Sequence, residues 1–411
     1  ENASYFYPSI NSSLVISDLF PSITRNNVLS YLKVRGGVAK VGSDAGPYQL
    51  ATLYNGSSSK FSGLPLYSLS NTSANPGLKP EQTESAEGGA EVSFFDERLT
   101  FDVTYFLKLT RDQIIPLTIA PATGFSATTI NAGQLSNRGI EAMVTARPLR
   151  LRNGFQWTTT LNYSKIKSVV DALAPGLTTI TIASQWGANI EARQGQPYGT
   201  LFGYDFKKDS ATGLPLLSGG MYQRASVKSV LGNTIPDWTG GWMNEFRYKN
   251  YALSVLVDFR HGGKNFSIGN WWGTYAGVLD NTMKGREVDW DKPGLIAKGI
   301  DQATGKENTV RVTAEDFFHS YYPINSLGVF STGFAKLREV RLNYDVPSKY
   351  ASMLKLREMN VALVGRNLFT WTDFPNYDPE NSSSATNGGQ GFDMGALPTM
   401  RSFGLNFTIT P

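Results

Sequence analysis

The sequence predicts an all-β chain: an antiparallel transmembrane β-barrel wall of about 11 strands with long extracellular loops. Three observations predict it. Apolar and polar residues alternate with a period of two along most of the chain, as half-buried strands do. The alternating stretches run to about ten residues or more, which suits a tilted membrane crossing and exceeds the common strand of about 5–6 residues. Short and long connections alternate between them, the asymmetry of an outer-membrane barrel.

The expected strands lie near 4–19, 30–42, 82–96, 98–115, 134–152, 154–170, 235–249, 250–265, 334–347, 356–371 and 400–410. The clearest is 99–110, where Leu99, Phe101, Val103, Tyr105, Leu107 and Leu109 share a face. Thr100, Asp102, Thr104, Lys108 and Thr110 share the other, with Phe106 the one exception. The odd positions are therefore expected to face lipid and the even ones the lumen. Trp157, Leu161 and Tyr163 against Gln156, Thr158 and Asn162 repeat the pattern, as do Leu253, Val255 and Val257 against Ser254 and Asp258. Short links such as 96–98, 152–154, 249–250 and 347–356 alternate with long Gly/Ser/Asn/Pro-rich ones at 43–81, 117–133, 171–234, 266–333 and 372–399. Helical periodicity is confined to 349–356, enough for one short turn. Two features separate this pattern from a soluble sandwich. Aromatics gather near strand ends, as interfacial girdles do. Full charges (Asp102, Glu245, Arg247, Asp258, Arg341) sit in mid-strand on the polar faces, as a wet lumen allows.

Composition removes several function classes. With 38 basic and 34 acidic residues among 411, the net charge of +4 gives no basic face for nucleic acid. Cysteine is absent, so disulfide scaffolds, thiolate metal sites and cysteine nucleophiles are excluded. His261 and His319 are the only histidines, too few for a multi-histidine metal centre or for arguing a Ser/His/Asp arrangement. No cofactor is expected. No apolar run approaches the ~18 residues of a membrane helix.

Chemically suggestive groups have plain readings. His261 reads as a polar loop residue and His319 as packing in an aromatic loop. The acidic pairs Asp289/Asp291 and Asp378/Glu380 read as solvated loop carboxylates. The repeated Asp-x-Ala-Thr-Gly at 209–213 and 301–305 reads as a hairpin turn with glycine in the left-handed region. One cluster points to binding. The segment 266–333 is rich in Trp, Tyr and Phe, and its Trp271, Trp272, Tyr275 and Trp290 are expected to contact substrate or a partner protein.

Five ordered blocks carry a family resemblance. Residues 334–347 (FAKLREVRLNYDVP) are similar to a strand-and-turn pattern hxKLRExxLxYxLP. The stretch 364–371 followed by Asp378-Pro379-Glu380 resembles a GxNLxxxT…DPE block, and 397–407 resembles a terminal PxxRxxxxGLxxxF strand. Residues 78–88 resemble LKPExTxSxExG, and 137–141 match NxGIE. Together these resemble the SusC/RagA family of TonB-dependent outer-membrane transporters of Bacteroidetes. The resemblance implies that residues 1–411 are the C-terminal part of such a barrel, in the cell outer membrane. Signal peptide, N-terminal domain, plug and first strands would lie elsewhere in a longer polypeptide. About 11 strands would need the remaining half of the same barrel, because open strand edges are untenable in lipid. The function implied is active import of a glycan or oligopeptide, not catalysis. Its implied partners are a SusD-like surface lipoprotein, TonB acting through the N-terminal part, outer-membrane lipid, and a second transporter–lipoprotein pair in a dimer. A passive porin or barrel adhesin, and a secreted β-rich lectin or hydrolase, are the competing readings.

Overall fold

The computed structural model describes residues 5–25, 28–286, 291–383 and 390–411. Eleven long strands form one sheet. They are β1 (Ser9–Val15), β2 (Leu29–Ser43), β3 (Glu81–Phe94), β4 (Leu99–Arg111), β5 (Gln134–Arg150), β6 (Phe155–Ala172), β7 (Pro236–Tyr248), β8 (Tyr251–Gly262), β9 (Phe334–Asp345), β10 (Glu358–Thr372) and β11 (Ser402–Thr410). Their hydrogen-bonded order is their sequence order, so β1 and β11 are the edges. Every expected strand is present. The first is shorter than expected, because the chain turns helical at Ile16–Leu19 and meets Pro21. The short links are also where expected. That between β3 and β4 places Phe95, Asp96 and Glu97 in the left-handed region (φ 56°, 55° and 59°), with the Asp96 N–H donating to Ser30 Oγ at 2.6 Å. That between β9 and β10 holds the six-residue helix Ser348–Met353.

The chain divides into two compact units: 1–142, 166–180 and 193–198, and then 143–165, 181–192 and 199–411. In the first unit, the ladders from β1 to β4 put Ile10, Val38, Ala86 and Leu107 in one row and Val34, Ala90 and Val103 in another. This apolar face is the lipid side. Behind it, Arg35 donates to Asp102 Oδ2 at 3.1 Å and to Thr104 Oγ1 at 2.6 Å. Arg35 lies opposite Gly89, and Gly89 opposite Thr104, so the guanidinium crosses the whole of β3 to reach β4. Only glycine permits that crossing. A Cβ on Gly89 would sit 2.9 Å from Thr104 Oγ1 and 3.0 Å from Arg35 Nε. Phe106, the exception to the alternation, is buried on this inner face with Lys108 Nζ 5.3 Å from its ring centre.

In the second unit, one lipid-side row runs Trp157, Phe246, Leu253, Leu342, Leu363 and Leu405 across six strands. The adjoining row contains Thr159 and Asn244, which two indoles satisfy. Trp157 Nε1 donates to Asn244 Oδ1 at 3.1 Å, and Trp242 Nε1 donates to Thr159 Oγ1 at 2.8 Å. Polar side chains are thereby hydrogen-bonded before they meet hydrocarbon.

The long loops of this unit share a core of their own: Ala188, Ile190, Leu201, Phe266, Ile268, Trp271 and Phe392. It draws on three loops, between β6 and β7, β8 and β9, and β10 and β11. Two helices occur here that the sequence reading did not include, Ile268–Tyr275 and Ala314–His319. Each has a cap that the sequence spells out. Ser267 accepts the Asn270 N–H, and Thr313 accepts the Asp316 N–H while donating to the Asp316 carboxylate at 2.7 Å. No helix among the described residues is long and apolar enough to cross a membrane.

Candidate functional site

The loop core carries an exposed aromatic surface. Trp272, on the helix Ile268–Tyr275, is 39% exposed. Its ring centre lies 5.0 Å from Trp186, 5.2 Å from Tyr275 and 5.9 Å from Tyr322. Tyr275 in turn stacks on His319 at 4.5 Å. Trp186 and Tyr322 are exposed as well. Residues from two loops thus present one continuous set of ring faces and edges, suited to stacking on a sugar ring or packing on a protein side chain.

The surface stands on rigid supports. Trp271 is 2% exposed and lies beneath it, stacked on Tyr322 at 5.4 Å and set against Phe266 at 5.5 Å. Its indole N–H is shared between the carbonyls of Tyr321 and Ile324, at 3.2 and 3.3 Å. Polar side chains stitch the loops together around it. Ser267 Oγ donates to Asp393 Oδ2 at 2.6 Å, and Asn270 Nδ2 donates to the Pro375 carbonyl at 2.8 Å. Asn325 Nδ2 donates to the Trp186 carbonyl, and Asn325 Oδ1 accepts from the Tyr204 N–H, both at 3.0 Å. Below lies a second aromatic cluster of Phe206, Tyr222, Phe317 and Tyr321. Burial, with Tyr222 alongside, pushes the Tyr321 phenol up to about 12.

The four aromatics singled out in the sequence therefore have different places. Trp272 is exposed, Tyr275 is half-buried beside it, Trp271 is a buried support, and Trp290 lies outside the described residues. Trp186 is absent from the sequence-based set, yet it is central here. Its signal is Trp186-Gly187 between two short strands, a hairpin turn in which both residues take positive φ (49° and 86°). A bulky side chain in that conformation is a rare exception. His319 packs in an aromatic setting as expected, and His261 stacks on Trp238 at 5.6 Å at the strand end.

Asp378 and Glu380 correct the sequence reading, because they are not freely solvated loop carboxylates. Lys336, 1% exposed, donates to Asp378 Oδ1 and to Glu380 Oε2, both at 2.6 Å. Arg338 grips both Glu380 oxygens at about 3 Å and reaches Asp258 Oδ2 at 2.6 Å. Thr399 Oγ1 donates to Asp378 Oδ2 at 2.6 Å. Burial alone would raise Asp378, but Lys336, Thr399 and the Glu380 N–H hold it below the usual carboxylate range. Glu380 is lowered in the same way, with Arg338 and Lys336 outweighing its burial. The Lys-Leu-Arg and Asp-Pro-Glu blocks are thus two halves of one clamp between the wall and the last loop. Of the other acidic pair, Asp289 lies outside the described residues and Asp291 is at an exposed turn. The two Asp-x-Ala-Thr-Gly segments are matching turns, each aspartate capping backbone N–H groups before a glycine at positive φ.

Residues 4–291 match the family described as TonB dependent receptor-like, beta-barrel. TonB-dependent receptor P26 of Formosa agariphila is 26% identical over 436 residues, covering 100% of this chain and 43% of that protein. TonB-dependent receptor P3 of the same organism is 25% identical over 372 residues, covering 81% of this chain and 34% of its own length. Among solved structures, the RagAB peptide transporter superposes with a TM-score of 0.73 at 16% identity, over 98% of this chain and 43% of that one. That likeness shows the fold. The chain therefore spans well under half the length of these relatives. The match to an outer-membrane β-barrel family, which is not a family of enzymes, sets aside the reading as a secreted β-rich lectin or hydrolase. By the match over most of its length, this chain belongs to the TonB-dependent receptor-like β-barrel family.

Proposed function

We propose that this chain is the C-terminal part of the barrel of an active importer that takes up a glycan or an oligopeptide with a SusD-like surface lipoprotein. TonB would energise it through the N-terminal part of the same polypeptide. The observation that supports a recognition role for this chain is the exposed surface of Trp186, Trp272 and Tyr322, with Tyr275 half-buried beside them, braced by a buried core. In this reading the barrel supplies a polar wall, and the loop surface meets cargo or lipoprotein. The RagAB relative is a peptide transporter by its description, which favours a peptide among the two cargoes.

The test uses the full-length transporter with Trp186, Trp272 and Tyr275 replaced by alanine. Trp271 is left in place because it is buried. Reduced growth on the imported nutrient with the lipoprotein still co-purifying assigns the surface to cargo. Loss of the lipoprotein assigns it to the partner. Normal transport and normal assembly would show that the surface serves neither.

A further inference from the structure

The lipid-side face of β1 to β4 is mostly apolar, with Ser12 and Tyr105 in a middle row, and carries its charges near one end. Along its rows the ionisable residues are Lys40, Glu84 and Arg111, all near the strand ends that lead into long loops. That end is extracellular in a barrel of this kind, so the three residues lie at the headgroup level of the outer leaflet. Glu84 is shared: Lys40 Nζ is 3.5 Å from Oε1 and Arg111 Nη1 is 3.2 Å from Oε2. Two cations on one carboxylate leave a net positive charge. Both cations remain about half exposed, with N–H donors to spare.

Beside Lys40 and Glu84 is a groove of about 500 Å³, whose lining also includes the polar Ser9, Ser85, Lys108 and Asn137. Ile10, Val38 and Leu107 form its sides, and Ala86, the smallest side chain of that row, is its floor. Lys40 and Glu84 line its upper end. A largely apolar slot, topped at headgroup level by two cations that share one carboxylate, is complementary to a molecule with an acyl chain and an anionic head. A bilayer already covers this face, so the occupant is a lipid.

We propose that this groove is a specific site for a phosphate-bearing lipid of the outer leaflet. One acyl chain fills the slot over Ala86, and the phosphate takes the free donors of Lys40 and Arg111. Lipid attraction by paired basic residues at a membrane surface follows general electrostatics. The apolar slot beside them adds a fixed position.

The experiment measures lipid retention by native mass spectrometry on the full-length transporter, with lipid A, dephosphorylated lipid A and inorganic phosphate as probes. Lipid A should be retained, and its dephosphorylated form should be retained about thirtyfold less. K40S/R111S should lower lipid A retention by a similar factor, and K40R/R111K should restore it. Ala86→Phe fills the slot on a lipid-exposed face and should reduce retention while both cations persist. If K40S/R111S does not fold, Ala86→Phe and the dephosphorylated probe still decide. Equal retention of both lipid A forms, or no effect of Ala86→Phe, would overturn the proposal. So would displacement of lipid A by millimolar phosphate, which would indicate an ion site without a lipid slot.

Discussion

Lys336 places its ammonium 2.6 Å from Asp378 while only 1% of its side chain meets solvent. A lysine this buried is rare unless paired, and here two carboxylates satisfy it. The pair spans 42 residues of sequence and joins the wall strand β9 to the loop before β11. Glu380 and Arg338 add a second, more exposed bridge beside it.

Removing one partner of this pair should be costly. Lys336→Ala leaves Asp378 buried and unpaired, and a loss of about 3–5 kcal/mol is expected. Combining Lys336→Met with Asp378→Leu should recover more than half of it. The temperature at which the full-length barrel loses its heat-modifiable gel mobility measures both.

The clamp should also respond to acid. Both carboxyls lie below their ordinary range in the folded state. A depressed carboxylate stabilises above its unfolded value of about 4, and that contribution is lost as pH falls through the lower folded value. Proteolysis of the 373–401 loop should therefore be constant from neutral pH down to about 5 and rise below about 4. Asp378→Asn with Glu380→Gln should abolish the step and leave the loop sensitive throughout.

Face assignment can be checked with arginine. Val103 is on the lipid side near the middle of β4, and Val103→Arg should cost about 2–4 kcal/mol. Thr158 faces Glu245 across the β6–β7 ladder on the lumen side, and Thr158→Arg should be mild. Thr104 is unsuitable as the lumen control, because Arg35 already donates to it. Equal costs in a lipid-folding titration would mean that the faces are reversed.

Gly89→Val should separate Arg35 from Asp102. The added Cβ meets Thr104 and the Arg35 guanidinium, and the displaced ion pair is half-buried. A loss of about 1–3 kcal/mol is expected, whereas Gly88→Ala, where a Cβ meets nothing within 4 Å, should be nearly neutral. Denaturant titration of the two variants compares them.

Trp186→Gly offsets two effects. It relieves a left-handed tryptophan, worth about 1–2 kcal/mol, and removes a ring stack worth about 0.5–1.5 kcal/mol. Stability should hardly change while recognition falls. A large fall in melting temperature would instead make Trp186 a packing residue.

The eleven strands, the alternation of side chains along them and the alternation of short and long links were all legible in the sequence. Each depends on a local rule: side chains alternate along a strand, and lipid demands one apolar face. Even Phe106, which breaks the alternation, disturbed no neighbour. The loops were legible only in part. Their core joins Ile190, Phe266 and Phe392, residues up to 202 positions apart, and no periodicity within one loop encodes such a contact. Hence Trp271 and Trp272, adjacent and chemically identical, could not be told apart until packing buried one and exposed the other. The same holds for Asp378 and Glu380. A loop carboxylate and a strand lysine each look solvated alone, and only the fold, by bringing them together away from water, turns two surface charges into a buried clamp.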